Sequence, residues 1–178
     1  MKKGVKDTSS DENNGEALLH LVIFKLGSEN YGIKIEQVKE VTLTPPIAKM
    51  PQTPAFIKGV ANIRGDIIAI MDLEERFKLQ SSDLHLNKRG LSYTLVIESP
   101  IYTIGLMVQE VPQSLTIAVS DIDRTPDVVK EKNINENFIE GIGKIDDGRL
   151  IIILDINKIL STEEIELLQE KVESKKVK

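Results

Sequence analysis

The side chains that could do chemistry here are two histidines and a scatter of carboxylates, with no cysteine at all. Without a thiolate there is no disulfide framework, no sulfur-ligated metal site and no cysteine nucleophile. His20 lies inside an apolar run and His85 in a polar stretch, and neither has a partner at ligand spacing. Each therefore reads as an ordinary strand or surface residue. Asp121-Ile122-Asp123 and Asp146-Asp147-Gly148 open in the manner of calcium loops. Both lack the later ligands and the bidentate Glu, so turn formation accounts for them. Gly141-Ile142-Gly143 has no third glycine and opens a hairpin instead of a helix, which argues against dinucleotide binding. Neither a nucleophile elbow nor a phosphate-binding loop is present. We assign no catalytic, cofactor-binding or metal-binding residue, and the chain reads as a non-enzyme.

Composition narrows the class further. Of 178 residues, 40% are hydrophobic, enough for one compact domain or two small ones. The net charge of −5 comes with Lys and Arg scattered along the chain, not gathered into a basic patch. Nucleic-acid binding needs such a patch, and at 4% aromatic content the platforms for stacking bases are missing too. The first residues carry no apolar core of signal-peptide length, and no apolar run approaches the roughly 20 residues that span a bilayer. A cytoplasmic protein is expected.

The elements that must position any site are mostly strands. Residues 1–17 are polar and read as a disordered tail. Leu18–Leu26 is rich in β-branched residues and forms a strand; Gly27 to Asn30 turns it into a second strand over Tyr31–Ile35. Glu36–Val41 is open to a short helical turn, in a window too small for periodicity to decide. Prolines at 45, 46, 51 and 54 then exclude a helix. A hairpin follows, Val60–Ile63 and Ile67–Leu73 around Arg64-Gly65-Asp66, and residues 81–91 read as a linker. Strands recur at Tyr93–Glu98, Tyr102–Val108 and Leu115–Val119, then a polar loop over Ser120–Asn137. A hairpin over Ile142–Ile156 turns at Asp-Gly, and a final helix begins at Ser161 with Glu164 completing a capping box.

The chain repeats itself. Phe56-Ile57-Lys58-Gly59-Val60 matches Phe138-Ile139-Glu140-Gly141-Ile142, and Ile70-Met71-Asp72-Leu73 matches Ile153-Leu154-Asp155-Ile156. Gly32 and Gly105 mark an earlier strand in each half. We expect an all-β fold with minor helices: two packed barrels of five short strands, 18–80 and 92–160, then a C-terminal helix over 161–178. Each barrel alone is marginal at its size, so the pair should share an apolar seam. The twins Asp72 and Asp155 are expected as strand-to-helix caps, since one catalytic Asp needs no twin. Gly59 and Gly141 imply a bulge or a close strand approach. Arg64 breaks the repeat, because the equivalent turn holds Asp146-Asp147.

From about Leu19 to Leu168 the chain resembles the CheW family, the coupling proteins of bacterial chemotaxis. The likeness is carried by Tyr31-Gly32-Ile33, Val38-Lys39-Glu40-Val41, the block Pro54-Ala55-Phe56-Ile57-Lys58-Gly59-Val60-Ala61-Asn62-Ile63-Arg64-Gly65, Ile70-Met71-Asp72-Leu73, Gly105, Glu110-Val111 and Phe138 to Gly143. The resemblance implies two SH3-like barrels in one domain, about 18–168. It also implies an adaptor in two-component signal transduction, linking chemoreceptor tips to the histidine kinase CheA without cofactor, nucleic acid or membrane insertion. By position it implies receptor binding at Val38, Glu40, Gly59, Arg64, Gly65 and Val111, with the receptor's helical tip in the groove between barrels. Kinase binding is implied at Ile47, Ala48 and Lys49 and, on a second surface, at Asp127 and Val128. Alternation with the kinase's like-shaped regulatory domain would close rings at membrane-associated receptor arrays. Val128 departs from the family's larger aromatic residue, and a smaller anchor contributes less to a contact. A second reading keeps the module and changes the circuit, to a related chemosensory pathway controlling an output such as surface motility.

Overall fold

The computed structural model describes residues 15–79, 90–124 and 136–176. Strand β1 (Leu18–Leu26) and β2 (Glu29–Lys34) form the first hairpin, as expected. A 3-10 turn over Ile35–Gln37 leads into β3 (Val38–Leu43), so the helical turn considered over Glu36–Val41 takes in only its first two residues and the rest is strand. Then come β4 (Ile57–Ile63), β5 (Asp66–Asp72) and a one-turn helix α1 (Leu73–Arg76). The second half has β6 (Tyr93–Glu98), β7 (Thr103–Val108), β8 (Gln113–Ala118), a two-residue β9 (Ile122–Asp123), β10 (Ile139–Lys144) and β11 (Leu150–Leu154). Helix α2 (Thr162–Lys176) closes the chain.

The strands pair into two sheets, ordered β8-β1-β2-β11-β10-β9 and β3-β6-β7-β5-β4. In the first, the edge strands β8 and β9 are separated by one 3-10 turn over Val119–Asp121. Edges joined by so short a link must lie together, so the sheet curls on itself and β8 and β9 are two arms of one bent strand. The second sheet repeats the device: beyond β3, Ala48 bridges Val60 on the opposite edge, β4. Five chain segments per barrel result.

The barrels do not follow the halves of the sequence, and the division at 18–80 and 92–160 is corrected. Hairpin β1–β2 joins the barrel of the second half, β2 lying parallel to β11. Hairpin β6–β7 joins β3, β4 and β5, with β7 parallel to β5. Self-similarity records duplication, and a duplicated hairpin carries the same apolar alternation to either docking edge. The tail is corrected as well at its end: Ala17 O accepts the amide of Val119 at 2.9 Å, and Glu16 accepts the Ser120 hydroxyl at 2.7 Å.

Each barrel has its own small core, Ala61, Ile63, Ile68, Ile70 and Val96 in one and Leu21, Ile117, Ile151 and Ile153 in the other. The largest apolar cluster lies between them and draws on both sheets, from Val22, Phe24 and Tyr31 through Leu95 and Leu106 to Ile152 and Leu154. That is the expected seam. Helix α2 adds Ile165 and Leu168 to it. Its start is the capping box read from the sequence: the Glu164 amide donates to Ser161 Oγ at 3.2 Å, and Ser161 N donates to Glu164 Oε2 at 2.8 Å.

Candidate binding surfaces

Arg64 and Gly65 are the two central residues of the β4–β5 hairpin, with φ of +52° and +92°. Positive φ at both positions matches the twist of the flanking strands, and Asn62 Oδ1 accepts the Gly65 amide at 2.9 Å. Asn or Gly would suit the position of Arg64 with less strain, so its side chain is the reason to look for a function there. Its Nε lies 2.8 Å from Glu40 Oε2. A bulge between Val38 and Glu40 sets Glu40 opposite Val96, on the face of the first barrel core. The Glu40 side chain is 18% exposed and that of Arg64 82%. Glu40 Oε2 is shielded from solvent and takes no hydrogen bond among the described residues. The contact is thus a charge pairing at close range without aligned hydrogen-bond geometry. A half-buried carboxylate whose counter-charge is an exposed cation can exchange that cation for a partner's.

The other expected receptor residues are spread out. Val38 is half-buried against the shared core. Val111 is exposed on the β7–β8 loop. Gly59 is buried, at a bulge in β4. Its position lies against Ala48, where an added Cβ would come within 2.1 Å of the carbonyl oxygen. Gly141 stands at the matching bulge of β10, where a Cβ would meet Asp123 O at 3.0 Å. Bulge and close approach, the two alternatives read from the sequence, both hold.

Of the expected kinase residues, Ile47 packs on the first barrel core, Ala48 exchanges hydrogen bonds with Val60 (2.8 and 2.9 Å), and Lys49 is exposed. Asp127 and Val128 lie outside the described residues. They follow β9, however, and β9 pairs Asp123 with Ile142, the repeat partner of Val60. Ala48 and Asp123 therefore hold equivalent places in the two barrels.

Sequence reasoning missed an apolar patch. Val41 and Leu43 on β3 are 44% and 54% exposed, and Leu91, two residues before the Tyr93 that pairs with Leu43, is 41% exposed. They pair with Leu95 and Tyr93 on the face of the shared core, so that core reaches the surface along this edge. The signal was the alternation over Val41-Thr42-Leu43, which only the recognition of β3 as a strand makes legible.

The groups weighed first for chemistry have structural roles. His20 Nδ1 sits 2.9 Å from Thr116 Oγ1 across the β1–β8 pair, and His85 is outside the described residues. Asp72 accepts the amide of Glu75 at 3.3 Å, and Asp155 that of Asn157 at 3.1 Å, so both aspartates cap the turn after their strand. The Asp147 carboxylate accepts the amide of Arg149 and pairs with its side chain, which holds its pKa below the usual value. No group of three or more His, Cys, Asp or Glu among the described residues could hold a metal ion. Among those residues, no helix is long and apolar enough to cross a membrane. A cavity of about 180 Å³ under α2, lined by Ile67, Tyr102 and Leu168, shares no residue with these surfaces.

Paired SH3-like barrels with an exposed apolar edge and two matching closing segments suit a scaffold that works by binding proteins. The CheW-like domain model matches residues 20–164, and the chain belongs to that family, whose chemotaxis proteins act as coupling scaffolds. It is 30% identical over 148 residues to Chemotaxis protein CheW of Treponema pallidum, covering 83% of this chain and 85% of that one. Against Chemotaxis protein CheW of Klebsiella aerogenes identity is 32% over 147 residues, 83% of this chain and 84% of the other. The crystal structure of the scaffolding protein TtCheW from Thermoanaerobacter tengcongensis superposes with a TM-score of 0.71 at 33% identity, over 83% of this chain and 96% of that one.

Proposed function

We propose that the chain joins the helical cytoplasmic tip of a chemoreceptor to the regulatory domain of the histidine kinase CheA, in the cytoplasm at membrane-associated receptor arrays. The observation that carries this reading is the composition of β3. One face of that strand opens the shared core to solvent at Val41 and Leu43, and the other presents the Glu40 carboxylate to Arg64. An apolar strip beside an exchangeable charge suits the amphipathic helix of a receptor tip. The kinase would meet the closing segment Ile47–Lys49 on one barrel and, by the family resemblance, Asp127 and Val128, which follow β9 in the sequence. The equivalence of Ala48 and Asp123 under the repeat supports contacts of one kind at both ends, the requirement for alternating assembly into a ring.

The test is a reconstituted mixture of receptor, kinase and adaptor. Arg64→Asp should abolish kinase activation. Arg64→Ala should weaken it while moving the melting temperature by no more than roughly 2–4 °C, since an exposed pair is worth about 0–1 kcal/mol. Full activation by both variants would sink the assignment of this surface.

A further inference from the structure

Each repeat lends its first hairpin to the other's barrel, β1–β2 beside β11 and β6–β7 beside β5. The operation that carries the first repeat onto the second must then carry the second back onto the first. The two halves are therefore related by an approximate two-fold axis. In such an arrangement a residue touches its own repeat partner only beside the axis. Arg76 does so: its Nε donates at 2.9 Å to the carbonyl of Ile159, the residue at the matching place in the second repeat. Its guanidinium also lies over Phe56 and Phe138, a second matched pair, at 4.4 and 5.2 Å from the ring centroids. Two cations side by side on the axis would repel, and only one of the matching places holds one. Glu164 pairs with that single charge through both carboxylate oxygens, each at 3.0 Å.

We propose that Arg76 is a positioning residue for receptor binding, fixing the angle between the barrels and so the groove between them. Val38 opens β3 in one barrel, and Val111 leads into β8 of the other. The spacing that separates Gly32 from Gly105 also separates these two valines, so they are a matched pair across the same axis. A receptor helix laid in the groove meets both valines only while the barrels keep one angle. The kinase-facing segment Ile47–Lys49 makes no such demand, because Ala48 is held by Val60 inside a single barrel, at 2.8 and 2.9 Å. The Arg76 side chain is 16% exposed, so solvent screens little of its pull on Glu164. The assignment rests on the receptor reading proposed above.

The experiment uses the full chain as Arg76→Met, Glu164→Gln and, as a control that loses packing within one barrel, Ile153→Val. Capture on a receptor-tip helical hairpin and affinity for the kinase regulatory domain are measured separately. Arg76→Met should weaken receptor capture by about fivefold or more, and Glu164→Gln by about threefold, with kinase affinity within about twofold in both. Ile153→Val should leave both within about twofold. The chain has no cysteine, so nitroxides at Glu98→Cys in one barrel and Lys144→Cys in the other report the angle. Their distance distribution by pulsed electron resonance should shift or widen in Arg76→Met and Glu164→Gln and stay unchanged in Ile153→Val. Receptor capture unaltered in Glu164→Gln, kinase affinity falling in step with it, or an unaltered distance distribution overturns the proposal. Glu164→Gln decides the matter even where Arg76→Met fails to fold, since it keeps an acceptor for the Ser161 amide. If the unaltered chain captures no receptor hairpin, it is the proposed function that fails.

Discussion

Arg76 places its two terminal nitrogens 3.0 Å from the two carboxylate oxygens of Glu164, 88 positions later in the chain. Its Nε donates to Ile159 O at 2.9 Å, and its guanidinium lies over Phe56 and Phe138, 4.4 and 5.2 Å from the ring centroids. Those two rings are partners in the internal repeat, and Arg76 and Ile159 occupy matching places four residues after Asp72 and Asp155. One cation thus ties both repeats to the start of α2.

The first prediction follows from that geometry. Glu164→Gln keeps the capping-box hydrogen bond and removes the charge; Arg76→Met removes the guanidinium and keeps the stem. A double-mutant cycle on urea unfolding should give a coupling of about 1–2 kcal/mol, as expected for a bidentate, partly buried pair. Coupling indistinguishable from zero would reduce the contact to packing.

Two buried tyrosines should respond to the same substitution with opposite sign. The Tyr102 hydroxyl donates to Ile156 O, whereas the Tyr31 hydroxyl is buried with no partner among the described residues. Tyr102→Phe should therefore destabilise by about 1–2 kcal/mol, and Tyr31→Phe should be neutral or stabilise by up to about 1 kcal/mol. Chemical unfolding of the two variants checks this, and a loss at Tyr31 equal to that at Tyr102 would contradict it.

Alkaline pH should unfold the protein through these side chains. Burial raises both phenol pKa values above the ordinary 10.0, helped at Tyr102 by the charge of Asp155 and at Tyr31 by that of Glu29. The folded chain then keeps protons that the unfolded chain releases. Stability from this source is complete below about pH 10 and declines as the pH rises past it. Urea midpoints measured from pH 8 to 11 should fall above pH 10, and the Tyr31→Phe/Tyr102→Phe double variant should flatten that decline.

The paired caps give a fourth test. Asp72→Ala and Asp155→Ala should each lower stability by about 1 kcal/mol, and neither should abolish kinase activation. Activation lost at either position with an unchanged melt would assign that aspartate a part in signalling.

Much of the architecture was legible because local rules carried it. Asp-Gly at 147–148, the Ser161–Glu164 box and the β-branched runs each settle a turn, a cap or a strand within a few residues. Gly59 could be read as a bulge or a close approach, since only those needs place a glycine mid-strand. What it approaches could not be read. Ala48 faces it through a bent segment containing two of the prolines, and no local pattern announces that bridge. Strand β3 was equally hidden, because its partner β6 begins 50 residues away and supplies the pairing that makes it a strand.

By itself the sequence determined the strand-rich class, the duplication, the capping residues, the absence of cysteine chemistry and the Arg64 asymmetry. Each depends on residue type and short-range spacing. Tertiary structure decided which hairpin joins which barrel, since two hairpins with the same alternation fit either edge and only non-local packing selects between them. It also decided that Arg64 faces Glu40, that Gly59 lies beneath Ala48, and that β3 carries the shared core to the surface. Those facts depend on segments far apart in the chain meeting in space.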